Sequence, residues 1–389
     1  MPVSRNTSAI TQPLNVDEAV RNRYNRAASQ TESRLCCPVD YDEGYLAIIP
    51  DEIIERDYGC GDPSRFVKPG ETVLDLGSGG GKICYIAAQA VGQDGKVFGI
   101  DCNDEMLALA RKYQHQIGDQ LGYHNVEFYK GKIQDLSLNL ELLDGHLADH
   151  PVANIGDWLL VEEYAQQLRK LSPMIADDSI NIVLSNCVLN LVYPADRGQL
   201  FHEMYRVLKS GGRAVISDIV SDADIPATLQ NDPELWSGCI SGAFREDRFL
   251  EAFRQVGFYG MQIVERQTEP WIVVDGLEFR SMTVQAFKGN DGPSLDRQQT
   301  VIYQGPWRAV IDDNGQELVR GQCMAVSDKE YSLFTRPPYA DQVIPVPPSE
   351  LILLDQVSSI CSPAETKGNT QKSTVLPDDD CCSTSNGCC

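Results

Sequence analysis

The sequence predicts an α/β fold, in which a doubly wound and mostly parallel sheet of seven strands is flanked by helices and followed by a small β-rich domain. Three observations support this prediction. Short apolar runs alternate with amphipathic stretches between residues 71 and 288, the pattern of a parallel sheet with helical crossovers. A glycine-rich turn follows the first of these runs, and the character of the chain changes after Gly289.

Seven short apolar runs are predicted to form the strands of the sheet. They span residues 72–76, 96–100, 126–129, 180–184, 213–217, 262–266 and 281–287. Between residues 138 and 173 the apolar residues recur at helical spacing, and the segment is too long for an ordinary crossover loop. We therefore expect a helical insertion there, and a short helix at residues 17–28.

Four parts of the chain are expected. Residues 1–70 form a cysteine-bearing amino-terminal segment, and residues 71–289 form the sheet domain with its insertion. Residues 290–350 form a small β-rich domain, with strands predicted at 300–311, 317–325 and 331–335 and a hairpin turn at 312–315. Residues 351–389 are rich in Ser, Thr, Pro, Asp and Lys, so we expect a disordered tail.

Composition limits the possible classes of function. The 389 residues are 42% hydrophobic and carry a formal net charge of -23. A surface that binds nucleic acid needs clustered basic residues, so nucleic acid is not an expected partner. No run of about 18 apolar residues is present, so no membrane anchor is expected. The 13 cysteines follow no apolar signal segment, which favours a reduced, cytoplasmic protein over a disulfide framework.

The glycine-rich turn marks a candidate cofactor site. Residues 71–82 read ETVLDLGSGGGK, a strand followed by residues that lack a Cβ atom, so that a ligand can lie against the backbone. A dinucleotide fingerprint would require glycine in place of Lys82, which disfavours a pyrophosphate ligand. Asp75 lies at the end of this strand and Asp101 at the tip of the next, where a carboxylate can accept both hydroxyls of a ribose.

Three cysteines lie in predicted loops around the same site. Cys60 stands in DYGCG, Cys187 in SNCV and Cys239 in SGCISG. Cys187 follows a strand whose end would face the ligand crevice of an open parallel sheet. Structural zinc sites usually use closely spaced cysteine pairs, whereas these three are spread over most of the domain. Plain burial is the alternative for any free cysteine, and it suits Cys84, Cys102 and Cys323 better.

Together the motifs resemble those of a known enzyme family. DLGSGGG resembles motif I of the class I S-adenosylmethionine methyltransferases, and the combination of YGCG, SNCV and GCISGA is similar to the arsenite methyltransferase family over roughly residues 35–340. The resemblance implies a class I methyltransferase fold, S-adenosylmethionine as the methyl donor and As(III) as the acceptor. Methylarsenite would be the product, with further methylation to dimethylarsenite left open, and the reaction would detoxify or transform arsenic.

The resemblance also implies roles for the cysteines. Cys60, Cys187 and Cys239 match the three As(III) ligands, and an amino-terminal cysteine takes part in a thiol cycle restored by thioredoxin or glutathione. Cys36 and Cys37 are adjacent and stand closer to Cys60 than the family pattern suggests, so either could serve and the pairing stays open.

A second set of residues is expected to contact the cofactor. Within the resemblance Asp101 would hold the ribose, Met106 would pack near the adenine, and Ile133 and Gln134 would flank its amino group. Core packing is the alternative for Met106 and Ile133, and also for Tyr58, whose ring could otherwise face the sulfonium. The expected contacts are Tyr58, Asp75, Gly77, Ser78, Gly79, Asp101, Met106, Ile133, Gln134 and Asn186.

Three thiolates suit the chemistry of As(III), a soft centre with three bonds and one lone pair. Trigonal sulfur ligation leaves the lone pair free to attack a methyl carbon, and holding both reactants in line lowers the barrier by proximity. No general base is needed, which agrees with five scattered histidines that we expect at the surface.

Two other functions compete with arsenic methylation. One is a methyltransferase for a small organic acceptor, with cysteines that merely shape the pocket. The other is a non-catalytic metalloid-binding protein, which is disfavoured because Asp75 and Asp101 are both in place. The cysteine pairs at residues 381–382 and 388–389 could capture soft metal ions, or could be dispensable thiols.

Overall fold

The computed structural model describes residues 14–32, 39–289, 294–348 and 358–359. The chain divides into two compact units, Met1–Asp291 and Gly292–Cys389. The first unit contains the main sheet, the glycine-rich turn and the three cysteine motifs around Cys60, Cys187 and Cys239. No helix in the described part of the chain is both long enough and apolar enough to span a membrane.

A twisted sheet forms the centre of the first unit. Its strands are β1 (Thr72–Leu76), β2 (Lys96–Asp101), β3 (Val126–Lys130), β4 (Ile180–Asn186), β5 (Leu208–Ser221), β6 (Phe244–Arg245), β7 (Phe258–Arg266), β8 (Ile272–Val274) and β9 (Leu277–Lys288). The main path has the order β3-β2-β1-β4-β5-β9-β7, with β1 to β5 parallel and both β9 and β7 antiparallel to their neighbours. The prediction of a mostly parallel seven-stranded sheet is confirmed, and the short strands β6 and β8 extend it to nine.

The seven predicted strands all lie within observed strands, but three observed strands, β5, β7 and β9, begin four or five residues earlier. β5 starts at Leu208 rather than at residue 213, and its first residues read LKSGG, which is typical of a turn. The pairing of β5 with β4 shifts register there, and Gly211 has a φ of +78°. The strand therefore continues through a register shift, although the local sequence is typical of a turn.

Helices cover both faces of the sheet. They are α1 (Val16–Ala27), α2 (Glu43–Leu46), α3 (Asp51–Ile54), α4 (Lys82–Val91), α5 (Asp104–Leu121), α6 (Leu140–Asp149), α7 (Ile155–Leu171), α8 (Arg197–Val207), α9 (Ala227–Gln230), α10 (Pro233–Ser237) and α11 (Glu246–Gln255). Because side chains alternate along a strand, Leu74 packs in the core beside α8 and α11, whereas Val73 packs in the core beside α4 and α5.

The segment at residues 138–173 forms the two helices α6 and α7. α7 begins with a capping box, in which Asn154 accepts hydrogen bonds from the backbone and the Asp157 side chain accepts from Asn154 in return. Leu138, Ala165 and Leu168 form a small buried group between the helices.

The second unit is built of short strands and one helix. Its elements are β10 (Leu295–Asp296), β11 (Gln299–Tyr303), β12 (Ala309–Ile311), β13 (Glu317–Val319), β14 (Cys323–Val326), α12 (Asp328–Phe334), β15 (Val343–Val346) and β16 (Ser358–Ser359). Strands β14, β11 and β15 form an antiparallel sheet. The predicted turn at residues 312–315 is confirmed, since it joins β12 and β13 as a hairpin with Gly315 at a φ of +82°.

Three strand predictions in this unit need correction. Residues 300–311 are divided between β11 and β12 by Gly305 and Pro306, because proline cannot donate to a sheet ladder. Residues 317–325 are likewise divided, at Gly321 with a φ of +77°. The prediction of a strand at residues 331–335 is wrong: a capping box between Ser327 and Glu330 starts α12 there instead.

Two glycines with matching backbone geometry test how tightly the glycine-rich turn is packed. Gly81 and Gly122 both adopt left-handed conformations, with φ of 88° and 80° and ψ of 10°. A Cβ at Gly81 would lie 2.9 Å from Phe128 and 3.1 Å from Tyr85, whereas a Cβ at Gly122 would meet no atom within 4 Å.

We expect Gly122→Ala to lower the free energy of unfolding by about 1–2 kcal/mol, the cost of a left-handed alanine. Gly81→Ala should lower it by about 1–3 kcal/mol more, because the aromatic pair must also shift. Urea unfolding of both variants measures the difference. Equal losses would show that the turn is not packed as described.

Candidate active site

The glycine-rich turn lies tightly between the ends of β1 and β2. The amide groups of Gly77 and Ser78 both donate to the carbonyl oxygen of Ile100, at 2.8 and 2.9 Å. Gly77 has a φ of +72°, and a Cβ on it would lie 2.5 Å from the side chain of Val188. Only glycine therefore fits at this position, and the backbone of the turn is left open on its other side.

The two predicted carboxylates flank this turn. Asp101 accepts hydrogen bonds from the amide groups of Gly79 and Asn103, each at 2.8 Å, and burial raises its pKa. Asp75 is 2% exposed and accepts a hydrogen bond from the Cys84 thiol at 3.2 Å. Burial raises the pKa of Asp75 to about 7. Both carboxylates are thus held in place and poorly solvated before any ligand binds.

A cavity of about 340 Å³ opens beside the turn at the carboxyl ends of the parallel strands. This volume is in the range of about 300–1,000 Å³ that small-molecule sites occupy. All ten residues expected to contact the cofactor line it: Tyr58, Asp75, Gly77, Ser78, Gly79, Asp101, Met106, Ile133, Gln134 and Asn186.

The cavity lining fits S-adenosylmethionine. The buried hydroxyl of Ser78 has no hydrogen-bond partner among the described residues, so it can form a hydrogen bond with a polar atom of a ligand. The carboxylate of Asp101 borders the cavity and can accept hydrogen bonds from hydroxyl groups of a ligand, and the carboxylate of Asp75 can offset the positive charge of a sulfonium or ammonium group. Met106 is 2% exposed and offers an apolar surface for a base.

Several lining residues were missed from the sequence. Helix α1 contributes Asp17, Val20, Arg21 and Tyr24 to the cavity wall. Its only buried residues are Val16 and Ala27, so the helix has no strong apolar face. No local signal could therefore have linked this polar helix to a site more than 50 residues further along the chain.

The three predicted cysteines converge in the structure. Cys60, Cys187 and Cys239 are 3%, 6% and 4% exposed, and all three thiols are free. The Cys187 thiol is hydrogen-bonded to the thiols of Cys239 and Cys60, and these bonds together with burial raise its pKa well above the ordinary value. The Cys239 thiol also donates to the carbonyl oxygen of Cys187 at 3.1 Å. The sulfur atoms thus form one buried cluster, and Cys187 links it to the cavity wall.

Two of these cysteines have a strained backbone. Cys187 and Cys239 have φ values of 63° and 62°, in the left-handed region that favours glycine. Five non-glycine residues in the described part of the chain share this feature, the others being Asp178, Asp275 and Gln298. A left-handed conformation costs a side-chain-bearing residue about 1–2 kcal/mol, and such strain is concentrated at functional sites. The backbone therefore supports a functional role for both cysteines.

Asn186 fixes the position of Cys60. Its Oδ1 atom accepts hydrogen bonds from the amides of Cys60 and Gly61 at 2.9 and 3.2 Å, and its Nδ2 atom donates to the carbonyl of Gly61 at 2.7 Å. A Cβ at Gly59 would lie 2.2 Å from Nδ2 of Asn186. Asn186 thus lines the cavity, as expected, and also holds the loop that carries Cys60 against the end of β4.

Asp218 is a further residue of the cluster that was missed from the sequence. One of its carboxylate oxygens and the sulfurs of Cys60 and Cys187 all lie within 4.8 Å of one another. It is fully buried in β5, accepts a hydrogen bond from Asn190 at 2.7 Å, and burial raises its pKa to about 7. An aspartate inside the apolar run ISDIV was the available signal, because such a residue is rarely buried without a function or a partner.

The remaining cysteines differ in their surroundings. Cys84 is buried as expected, but the expectation of burial is wrong for Cys102 and Cys323, which are exposed. Cys102 follows Asp101 and lines the cavity. Cys36, Cys37 and the cysteine pairs of the tail lie outside the described residues. The histidines are at the surface as expected: His146 is half-buried and the other four, His115, His124, His150 and His202, are exposed.

The raised pKa of Asp75 predicts a pH-dependent stability. Its pKa is about 7 in the folded protein against 3.8 for an ordinary aspartate, so the folded state favours the protonated form. The resulting stability is complete below the lower value and is lost as the pH rises through the higher one. We expect Asp75→Asn to gain stability relative to the wild type as the pH rises from about 5 to about 8.

Urea unfolding of the ligand-free proteins across this pH range measures the effect. The exposed Asp94 provides a matched control, since Asp94→Asn should follow the wild-type pH profile. Parallel profiles for Asp75→Asn and the wild type would contradict the assignment of a buried, poorly solvated carboxyl group at this position.

Two different family models match the chain, one within the first unit and one almost entirely within the second. Residues 67–257 match a family model described as a methyltransferase domain. Residues 290–375 match a domain of unknown function. The first match covers β1 to α11 and includes the glycine-rich turn, Cys187 and Cys239.

Curated relatives extend over more of the chain. The arsenite methyltransferase of Aquipseudomonas alcaligenes is 31% identical over 305 residues, which cover 74% of this chain and 77% of the relative. The human arsenite methyltransferase is 27% identical over 373 residues, or 88% of each chain.

Among solved structures, one similar chain is described as an arsenic(III) S-adenosylmethionine methyltransferase from Chlamydomonas reinhardtii. It is 26% identical, with a TM-score of 0.54, and the match covers 81% of this chain and 98% of that one. These findings confirm the resemblance seen in the motifs. The chain therefore belongs to the arsenite methyltransferase family and is an S-adenosylmethionine-dependent methyltransferase.

Proposed function

We propose that this enzyme transfers methyl groups from S-adenosylmethionine to As(III) held by Cys60, Cys187 and Cys239. One observation carries the assignment of residues: three free thiols from distant parts of the chain meet in a buried cluster, and Cys187 also borders the cofactor cavity. Relatives named arsenite methyltransferase support the same substrate.

The binding of arsenite by three thiols needs no proton from an external acid and no external base to accept one. Arsenous acid carries three hydroxyl groups, and each thiol that replaces one forms an As–S bond and releases one water. The proton of each S–H group leaves with a hydroxyl group. Burial raises the pKa of Cys60, and hydrogen bonds with Cys239 and Cys60 raise that of Cys187, so both are protonated at neutral pH. The buried, apolar surroundings therefore suit a neutral acceptor such as arsenous acid.

Methyl transfer then depends on position. Bound S-adenosylmethionine supplies an electrophilic methyl group on its sulfonium. Trigonal ligation by the three sulfurs leaves the arsenic lone pair free, and Cys187 holds the arsenic next to the cavity wall. Two reactants held in this way gain several kcal/mol from proximity, up to about 7–11 kcal/mol in well-oriented systems. Asp101 is proposed to bind the ribose, and Met106, Ile133 and Gln134 the adenine.

Release of a trivalent product requires two electrons, because the methylated arsenic is formally pentavalent. We propose that two sulfur ligands leave as a disulfide, which returns the arsenic to the trivalent state. Two water molecules supply the hydroxyl groups of the released methylarsenite, the third sulfur leaves as a thiol, and one proton is released. Thioredoxin or glutathione would then reduce the disulfide, with Cys36 or Cys37 as a further thiol of the cycle. The need for reduced thiols supports a reducing compartment such as the cytoplasm.

A small organic acceptor is a weaker proposal. It would leave the strained conformations of Cys187 and Cys239 without a purpose, since neither geometry is needed merely to shape a pocket. A non-catalytic metalloid-binding role is weaker still, because the cofactor cavity with its buried carboxylates is intact.

Cys187→Ser should abolish the formation of methylated arsenic, because the ligand that joins the thiol cluster to the cavity is lost. Cofactor binding should persist, since Cys187 contributes only part of the cavity wall. Arsenic speciation by chromatography measures turnover, and calorimetry measures the binding of S-adenosylhomocysteine. Cys323→Ser, at an exposed cysteine of the second unit, is the matched control and should retain activity. Turnover by Cys187→Ser at the wild-type rate would refute the ligand assignment.

Arsenite binding near pH 7 should release or take up no protons. Protonated thiols react with arsenous acid to give water alone, whereas thiolates would require one proton for each bond formed. Calorimetric titration with arsenite in buffers of different ionisation enthalpy measures this number. A binding enthalpy that changes with the buffer would show that the thiols are already ionised in the free enzyme.

A further inference from the structure

Helix α1 contacts both halves of the site. It contributes Val20, Arg21 and Tyr24 to the wall of the cofactor cavity, and it packs against α10, which immediately precedes Cys239. Like the segment after β4 that carries Cys187, the helix thus reaches from the cofactor cavity to the surroundings of the third thiol.

On the cofactor side, α1 is held by hydrogen bonds to residues around the cavity. The side chain of Asn103 donates to Asn25 at 2.8 Å, and the backbone of Asn103 donates to Asp101. The Tyr58 hydroxyl donates to the carbonyl of Ala27 at 3.0 Å. A ligand that fills the cavity beside Asp101 and Tyr58 therefore lies against residues that hold the helix.

On the thiol side, Arg23 attaches α1 to α10. Its Nη1 atom donates to the carbonyl oxygen of Glu234 at 2.7 Å and to the hydroxyl of Ser237 at 3.2 Å. The next residue, Gly238, packs so closely that a Cβ on it would lie 3.2 Å from the same nitrogen. The guanidinium thus holds the turn that places Cys239 in its left-handed conformation.

Tyr24 occupies the space between the two sides. It lines the cavity and packs edge-on against Tyr58, with ring centroids 6.3 Å apart, in a group that includes Met106. Burial and the nearby groups of Cys239 and Cys187 raise the pKa of its hydroxyl, which supports its location next to the thiol cluster. The ring therefore borders the region where the cofactor cavity meets the cysteines.

We propose that α1 couples the binding of the cofactor to the binding of arsenite, with Arg23 and Tyr24 as positioning residues. This inference rests on the proposed function, because it takes Cys239 as an arsenic ligand. A ligand that fixes α1 against the cavity also fixes α10 and Cys239, so the second ligand no longer bears the entropic cost of ordering them. Thermodynamic linkage requires the effect to be equal in both directions, and such couplings typically amount to about 5–150-fold in affinity.

The test measures arsenite affinity of the full-length protein by calorimetry, with and without saturating S-adenosylhomocysteine, and then the affinity for S-adenosylhomocysteine with and without arsenite. For the wild type we expect arsenite to bind about 5–150-fold more tightly when S-adenosylhomocysteine is present, with the same factor in the reverse experiment. Arg23→Ala should bring this factor close to one, because the attachment to α10 is lost. Its affinity for S-adenosylhomocysteine alone should stay within about twofold of wild type.

Two variants control the experiment. Arg26→Ala removes an exposed arginine of the same helix and should retain the wild-type coupling. Tyr24→Phe keeps the ring against Tyr58 and should also retain coupling, whereas Tyr24→Ala should reduce it. Equal arsenite affinity with and without S-adenosylhomocysteine in the wild type, or undiminished coupling in Arg23→Ala, would overturn the inference.

The same titration separates this inference from the proposed function. If Cys239→Ser binds arsenite as tightly as the wild type does, the set of arsenic ligands is wrong and the coupling argument fails with it. If Cys239→Ser loses arsenite affinity while the wild type shows no coupling, the ligand set stands and only the role of α1 is refuted.

Discussion

The contacts of the Cys187 thiol with Cys60 and Cys239 are the interaction on which the rest of the site depends. A parallel sheet brings its carboxyl ends to one edge, so the turn after β4 places Cys187 directly beside the glycine-rich turn after β1. The other two cysteines must be brought to that point by contacts distant in sequence. Asn186 does this for Cys60 through three hydrogen bonds, and α10 does it for Cys239.

Buried acidic groups give the site its electrostatic character. Asp75, Asp101 and Asp218 all have raised pKa values, mainly because of burial. Asp75 and Asp101 border the cavity, where a cationic methyl donor would favour their ionised forms. Asp218 stands beside the thiols, where a negative charge opposes ionisation of the cysteines. The free site is thus arranged for a positive ligand on one side and a neutral one on the other.

Much of the fold could be predicted from the sequence because its signals are local. Each strand of the main sheet contains an apolar run, and the glycines of DLGSGGG indicate a tight turn, although the contact with Val188 that excludes a side chain at Gly77 is visible only in the structure. The early start of β5 was hidden by the turn-like residues LKSGG. The strand predicted at residues 331–335 failed because a cap at Ser327 outweighed the β-forming residues that follow it.

The residues of the site that belong to sequence motifs could be predicted. The residues contributed by elements distant in sequence could not. All ten residues expected around the cofactor line one cavity, and the three loop cysteines converge. The contribution of α1 could not be predicted, because it depends on side chains such as Arg23 contacting elements some 200 residues away. Asp218 was missed for a different reason: the predicted strand ended at residue 217, whereas the observed strand continues to Ser221 and includes this aspartate.

The exposed thiol of Cys102 has a consequence for chemical labelling of this enzyme. It borders the cavity next to Asp101, whereas the three clustered cysteines are almost inaccessible. Of the six cysteines in the described part of the chain, Cys102 and Cys323 are exposed, so an alkylating reagent can reach both, and at Cys102 it would narrow the cavity without reaching the buried thiol cluster. Inactivation by such a reagent therefore does not by itself show that a cysteine of the buried cluster has reacted.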